Sequence, residues 1–335
     1  MRAEPPLNSP SPASASAGRA RVLVVEDPAA TDAFSAQPDA VRNLVRRGIT
    51  NFTGKTDLAL AWRAIVSTQD VIGIKVFSRA GPLVGTRPGV VAAVIEGLLA
   101  AQVPTNHIIV WDRQLADLRR AGFAELAQKY GVRLAGALDA GWDETVSYES
   151  ALLGQLVFGD LEFQKKGDSL PRKSFVSMLL TKEIKKIINV SPLLNHNSAG
   201  VCGNLYSLAL GSVDNTLRFE GDAARLSEAV PDIYNLPGIG DRVALNIVDA
   251  LICQYEGEQI VRLHCSVALN QLRFSKDPVA LDVLSIDEIA TQRRRAGLSA
   301  AARTNRFELY QNAALLELGT PDPKKIDLEF VETGR

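Results

Sequence analysis

From Arg21 onward the chain alternates between short apolar runs and longer stretches whose apolar positions recur every three or four residues. The runs RVLVVED (21–27), VIGIKVF (71–77), HIIVWD (107–112) and VRLAG (132–136) are rich in β-branched residues and read as strands. Between them lie helical periodicities near 39–48 and 56–67, in GVVAAVIEGLLAAQ (89–102), and in FAELAQKYG (123–131), which Gly131 closes. Thr86 is positioned to cap the third of these helices, and Pro88 suits its first turn. Strands that are apolar throughout, alternating with helices, predict a parallel sheet with right-handed crossovers.

The second half repeats this alternation after a different middle. Residues 137–174 mix acidic and aromatic residues around the alternating stretch QLVFGDLEFQ (155–164), which predicts an antiparallel excursion. SFVSMLLTKEIKKI (174–187) reads as mostly helical, and 187–194 as a strand. The loop Asn195–Gly200 then opens a helix over about 200–210. AARLSEAVPDIYNL is helical. VALNIVDALICQYEG (243–257) and HCSVALNQLRFS (264–275) are strands turning near Gly257. PVALDVLSIDEIATQRRRAGL (278–298) is a helix with Asp277 as N-cap, FELYQNAALLELG (307–319) a helix closed by Gly319, and KIDLEFVE (325–332) a last strand. The expected fold class is α/β: mainly parallel sheet flanked by helices, with an antiparallel β excursion around 140–170. The expected organisation is a disordered leader (1–20), an α/β unit (21–136), a β-rich insertion (137–174) and a second α/β unit (175–335) sharing a sheet or cleft with the first.

Composition narrows the function classes. Of 335 residues, 37 are Lys or Arg and 38 Asp or Glu, a net charge of −1. This gives no global attraction to nucleic acid or membranes. No apolar run is long enough to span a bilayer. The three cysteines are far apart and form no CxxC pair, which argues against a zinc ribbon or an iron–sulfur cluster within the chain. The Pro/Ser/Ala-rich first 20 residues lack the apolar segment of a signal peptide. The expectation is a cytoplasmic protein, or one exported through a segment upstream of this sequence.

Candidate chemistry gathers at strand ends. Lys75, Asp112, His196 and Asp249 each sit at or near the end of an apolar strand, where a lone charge is costly to bury. Each also fits a structural role as a cap or ion pair. In open α/β sheets ligands bind beyond the strand carboxyl ends, often at helix N-termini whose N–H groups attract anions. Lys75, Ser198, Gly200 and Asn204 are therefore candidates for holding a carboxylate or phosphate. His196 and Asp249 are candidates for acid/base chemistry, and His196, Asp112 and Asp282 for holding a divalent metal ion. LPGIGDRVALNIVDAL (236–251) has the look of a helix-hairpin-helix DNA-binding segment, but Arg242 is its only nearby cation, and phosphate binding gathers several. The RRR run at 293–295 reads as a solvated helix face.

With these residues in view, the chain resembles the family known as domain of unknown function 362 over about 70–331. The resemblance rests on IKVF (74–77), TRPGVVAAVIEGL (86–98), IIVWD (108–112), NHNSAGVCGNLYSLALG (195–211), NIVDAL (246–251) and DPVALD (277–282). It implies an α/β fold, with Lys75, Asp112, His196, Asn204, Asp249, Asp277 and Asp282 on the family's recurrent polar positions. It implies no agreed reaction. Some members carry ferredoxin-type iron–sulfur segments, absent here, so an iron–sulfur protein is a candidate redox partner. The family often has Pro-Asn after the strand lysine and a lysine near the site histidine. Here Val76-Phe77 and Leu194 stand at those places. Three functions remain open: an anion- or metal-binding pocket, with or without catalysis on a small anionic substrate; a non-catalytic ligand-binding or redox-partner protein; and DNA binding through 236–251. The oligomeric state is not legible.

Overall fold

The computed structural model describes residues 19–150, 172–298 and 306–332. The strands are, in chain order, β1 (Ala20–Glu26), β2 (Thr31–Asp32), β3 (Ser35–Ala36), β4 (Ile72–Val76), β5 (Ile108–Asp112), β6 (Arg133–Gly136), β7 (Trp142–Glu149), β8 (Lys173–Ser177), β9 (Lys186–His196), β10 (Gly200–Val201), β11 (Val243–Gln254), β12 (Ser266–Ser275) and β13 (Ile326–Glu332). The main sheet has the order β13-β1-β12-β11-β9-β4-β5-β6, with β10 added to β9. β12 runs antiparallel to β1 and β11, and the other neighbours along this path are parallel. The α/β class with a mostly parallel sheet is thus observed. The chain leaves β4 for β5 and β6 on one side, then returns to β9 on the other side. That reversal is a topological switch point of the kind where α/β proteins open a crevice.

Alternation along the strands divides the interior in two. On one face Ile109, Trp111, Ile187 and Val248 pack against helices Asn204–Ser212, Ala223–Tyr234 and Pro278–Arg295. On the other, Ile74, Val110, Ile188 and Ile247 pack against helices Pro38–Thr53 and Pro88–Ala100. Each fully buried aliphatic side chain contributes roughly 1.5–3 kcal/mol. Against that scale a charged side chain inside the same sheet must be compensated by close partners.

β7 and β8 form a separate antiparallel pair, the observed part of the predicted excursion. The stretch 155–164 lies outside the described residues, as do residues 1–18 of the expected leader. Ala20, assigned to that leader by the sequence, opens β1.

Several local expectations change. The run 174–187 is not a helix. It is β8, a single π-helical turn (Leu179–Glu183) and the start of β9. The Arg242 guanidinium donates to the carbonyls of Leu180 and Ile184 and so holds that turn. Thr86 does not cap the helix that follows it. Its hydroxyl accepts the Phe77 N–H (2.9 Å) and donates to the Val190 carbonyl (2.7 Å), tying β4 to β9. The loop after β9 is a hairpin into β10, and the helix begins only at Asn204. Gly319 does not close the preceding helix, which ends at Leu315. A Cβ there would lie 1.9 Å from Asp277 Oδ1, so glycine is what lets Asp277 bond the Thr320 N–H. Asp277 does cap helix Pro278–Arg295, accepting from the Ala280 N–H at 2.8 Å. The second helix that a helix-hairpin-helix would need is replaced by β11, and Arg242 points to backbone carbonyls rather than outward.

Candidate functional site

Pairing register puts a row of polar side chains across one face of the sheet. Lys75 of β4 lies beside Trp111 of β5 and Asn189 of β9; Asn189 lies beside Asn246 of β11, and Asn246 beside Ser275 of β12. Helix Asn204–Ser212 covers the middle of this row. Asn189 Nδ2 donates to the Asn204 carbonyl (3.0 Å) and to Asn246 Oδ1 (3.1 Å).

Lys75 is fully buried. Its ammonium donates to Asp112 Oδ1 (2.9 Å), Ser207 Oγ (3.0 Å) and the Val76 carbonyl (2.6 Å). Burial pushes its pKa below the ordinary lysine range, while Asp112 opposes the shift. Three acceptors for three ammonium protons favour the charged form. Gly211 makes this fit possible, because a Cβ there would lie 2.4 Å from Lys75 Cε. Asp112 is equally saturated. Besides Lys75 it accepts from the Arg113 N–H (2.8 Å) and, at Oδ2, from the N–H and hydroxyl of Ser78 (both 2.7 Å).

The other expected site residues belong to separate networks. Asp282, from helix Pro278–Arg295, accepts the N–H groups of Asn204 (2.7 Å) and Leu205 (3.0 Å) and the Asn204 side-chain amide (2.9 Å). The helix N-terminus expected to attract an anion is therefore already occupied by a carboxyl group of the protein itself. Burial pushes the Asp282 carboxyl up to about 7, against those three donors. Gly203 leaves room for this carboxylate, since a Cβ would lie 2.2 Å from its Oδ1. Asn204 Oδ1 accepts from Ser191 Oγ at 3.1 Å.

Asp249 shares the parity of Ile247 and Leu251, so it lies on the sheet face opposite Lys75. It binds Arg87 through the backbone N–H (2.9 Å) and the guanidinium (2.9 Å), satisfying the N-terminus of helix Pro88–Ala100. His196 ends β9 opposite Gly200, whose φ is +88°. Its Nδ1 accepts from the Ser198 (3.2 Å) and Ala199 (3.0 Å) N–H groups, so the neutral ring carries its proton on Nε2. Its ring centroid is 4.3 Å from that of Tyr206. Lys75 and Asp112 thus meet, as do Asn204 and Asp282. His196, Asp249 and the Lys75–Asp112 pair do not form one constellation. Among the described residues no three His, Cys, Asp or Glu side chains form a group that could hold a metal ion, so His196, Asp112 and Asp282 do not assemble as the expected ligand set.

What the strand ends do form is a cleft of about 490 Å³. Phe77 and Arg79 follow β4; Asp112, Arg113 and Gln114 close β5 and follow it. Tyr206, Ser207, Leu210 and Gly211 come from the covering helix, and Thr216, Leu217 and Glu220 from the segment after it. Asp117 and Arg120 of helix Leu115–Arg120 and Gln259 of the β11–β12 turn complete the rim. Arg79 pairs with Glu220 (3.3 Å), and Arg120 with Asp117. Arg113 is different. Its guanidinium donates to Thr216 Oγ1, whose hydroxyl donates in turn to Glu220 Oε2 (3.0 Å), and among the described residues no carboxylate stands within ion-pair distance of the guanidinium itself. Burial lowers its pKa from the ordinary arginine range, with the more distant Glu220, Asp214 and Asp112 opposing. The sequence reading passes over Arg113, Tyr206 and Thr216. The available signal is Arg113's place directly after Asp112, at a strand carboxyl end.

Among the described residues no helix is long and apolar enough to cross a membrane. No curated protein matches the chain. A crystal structure of a Thermotoga maritima protein from a structural-genomics programme is similar at 11% identity, with a TM-score of 0.40 over 80% of this chain; the chain spans 61% of that protein's length. The family described as "Domain of unknown function (DUF362)" matches residues 72–287, well over half of the sequence. By that match the chain belongs to the DUF362 family.

Proposed function

We propose that the protein binds a small anionic ligand in the cleft beyond β4 and β5, with Arg113 as its principal cation. The observation that carries this reading is Arg113 itself, a largely enclosed guanidinium facing a cleft with one hydroxyl and, among the described residues, no carboxylate in direct contact. An enclosed charge whose counter-charges, here Glu220, Asp214 and Asp112, stand only at longer range is costly, and an anion in direct contact lowers that cost. Arginine presents a planar fork suited to carboxylate or phosphate oxygens. The Gln114 amide adds a neutral polar group at the wall. Lys75 and Asp112 form the closed floor behind the ligand rather than its contacts. His196 supports Tyr206 from behind.

The test is calorimetric titration of the full chain with sodium acetate and with inorganic phosphate, at ionic strength matched with chloride. Saturable binding of at least one anion, lost in Arg113→Gln, is expected. Heat no greater than for chloride, or equal binding by Arg113→Gln, sinks the reading.

A further inference from the structure

We infer that the ligand is an amphipathic monocarboxylate: one carboxylate carried on an apolar, preferably aromatic, body. This rests on the anion site proposed above and adds its charge and shape.

Charge counting selects the head group. The cations around the cleft pair as Lys75 with Asp112, Arg79 with Glu220 and Arg120 with Asp117. Arg113 has no carboxylate in direct contact among the described residues, but Asp214, beyond the cleft wall, acts on it, so four cations stand against four carboxylates. A bound monoanion adds one negative charge to that balance. A phosphate monoester, with close to two charges near neutral pH, adds about twice as much in a half-enclosed space beside Asp112, Asp117 and Glu220. Carboxylate geometry also matches a single guanidinium fork.

The rest of the wall selects the body. The Phe77 and Tyr206 rings stand 6.4 Å apart at 58°, next to Leu210. Leu217 lines the same cleft with 56% of its surface exposed, an apolar side chain whose contact surface is left to a ligand. About 490 Å³ falls within the range of small-molecule sites, roughly 300–1,000 Å³. A carboxylate alone would leave most of it unfilled.

The experiment titrates the full chain, at about pH 8 and matched ionic strength, with 3-phenylpropionate, acetate, phenyl phosphate and inorganic phosphate; at that pH the phosphate monoester is a dianion. 3-Phenylpropionate is expected to bind about tenfold or more tighter than acetate or phenyl phosphate, in proportion to the ring buried and the charge matched. Arg113→Gln is expected to weaken it about tenfold or more, as for one lost charge-assisted pair. Leu217→Ser, an exposed position, is expected to weaken 3-phenylpropionate about threefold and leave acetate unchanged. Circular dichroism of both variants separates lost binding from lost folding. Tighter binding of phenyl phosphate overturns the monoanion assignment while leaving the anion site standing. Equal affinities for acetate and 3-phenylpropionate overturn the apolar body. Binding of none of the four overturns the anion site itself.

Discussion

Lys75 and Arg113 sit on neighbouring strand ends of one sheet, yet they are treated in opposite ways. Lys75 has no exposed surface, and each of its three protons has an acceptor within 3.0 Å. Arg113 reaches the cleft, and among the described residues its guanidinium is held by one threonine hydroxyl, with carboxylates only at longer range. The same contrast separates Asp112, Asp249 and Asp282, each saturated by donors of the protein, from the cleft wall. Charges in apolar surroundings are therefore of two kinds here. The deeper ones complete the fold, closing strand ends and helix N-termini. The shallower one has no carboxylate in direct contact among the described residues, which is the contrast on which the proposed ligand site rests.

The strongest challenge to this contrast is to unpair Lys75. Asp112→Ala strands a buried ammonium, and breaking a buried pair from one side typically costs about 3–5 kcal/mol. Urea denaturation should show a loss of that size, with part of it recovered in Lys75→Met/Asp112→Ala, where the charge is gone as well. A loss under about 1 kcal/mol would mean that water or a rearranged neighbour compensates Lys75, and the two cations would then not differ in kind. Gly211→Ala probes the same floor without touching a charge. The added Cβ would meet Lys75 Cε at 2.4 Å, and overpacking of this sort costs about 1–3 kcal/mol.

How much of this could be read beforehand follows the range of each interaction. Apolar runs of five to seven residues make β1, β4 and β5 visible, because their burial on both faces is written into contiguous residues. Lys75, Asp112 and Asp249 are visible as charges inside such runs. Which face each one takes follows from the parity of the strand, and partnership follows from strand order, which is a property of the whole sheet. Asp249 therefore looks like a companion of Lys75 in the sequence and proves to be a helix cap on the opposite face. Asp282 reaches Asn204 across 78 positions, a contact no local pattern announces. The helix read into 174–187 fails because its backbone groups have better partners across β7 and at the Phe175–Asp214 contact. Arg113 escapes notice because a cation just past a strand end is ordinary. What sets it apart is the missing partner, and only the fold shows that.

Asp282 sharpens the contrast through pH. Two causes oppose each other there: burial favours the neutral acid, while three N–H donors at a helix N-terminus favour the carboxylate. With burial dominant, its pKa rises from 3.8 in the ordinary state to about 7 in the folded one. The folded chain then holds this proton more tightly than the unfolded chain. The stabilisation is complete below the unfolded value and is lost as pH climbs through the folded one. Asp282→Asn cannot titrate, and its amide turns an N–H toward a neighbouring N–H, so it should lose about 1–3 kcal/mol at acidic pH. The stability of the natural chain relative to Asp282→Asn should fall steadily between about pH 4 and pH 7. A constant difference across that window would show that the donors prevail and that Asp282 is ionised throughout, as closed a charge as Asp112.

The smallest expected effect on stability is the most telling. Without ligand, Arg113→Gln removes a largely enclosed charge whose counter-charges stand only at longer range, and the glutamine amide can still donate to Thr216 Oγ1. Deleting a paired group costs stability, whereas deleting an uncompensated one relieves a desolvation cost. Ligand-free Arg113→Gln should therefore melt at or slightly above the temperature of the natural chain, a change of about 0–1 kcal/mol. At saturating 3-phenylpropionate the order should invert, because binding to the folded state alone stabilises it by mass action. One residue would then be neutral or harmful to the empty protein and necessary to the occupied one. If Arg113→Gln instead melts far lower without ligand, Arg113 serves the fold as Lys75 does, and the cleft loses the feature that distinguishes it from the rest of the polar interior.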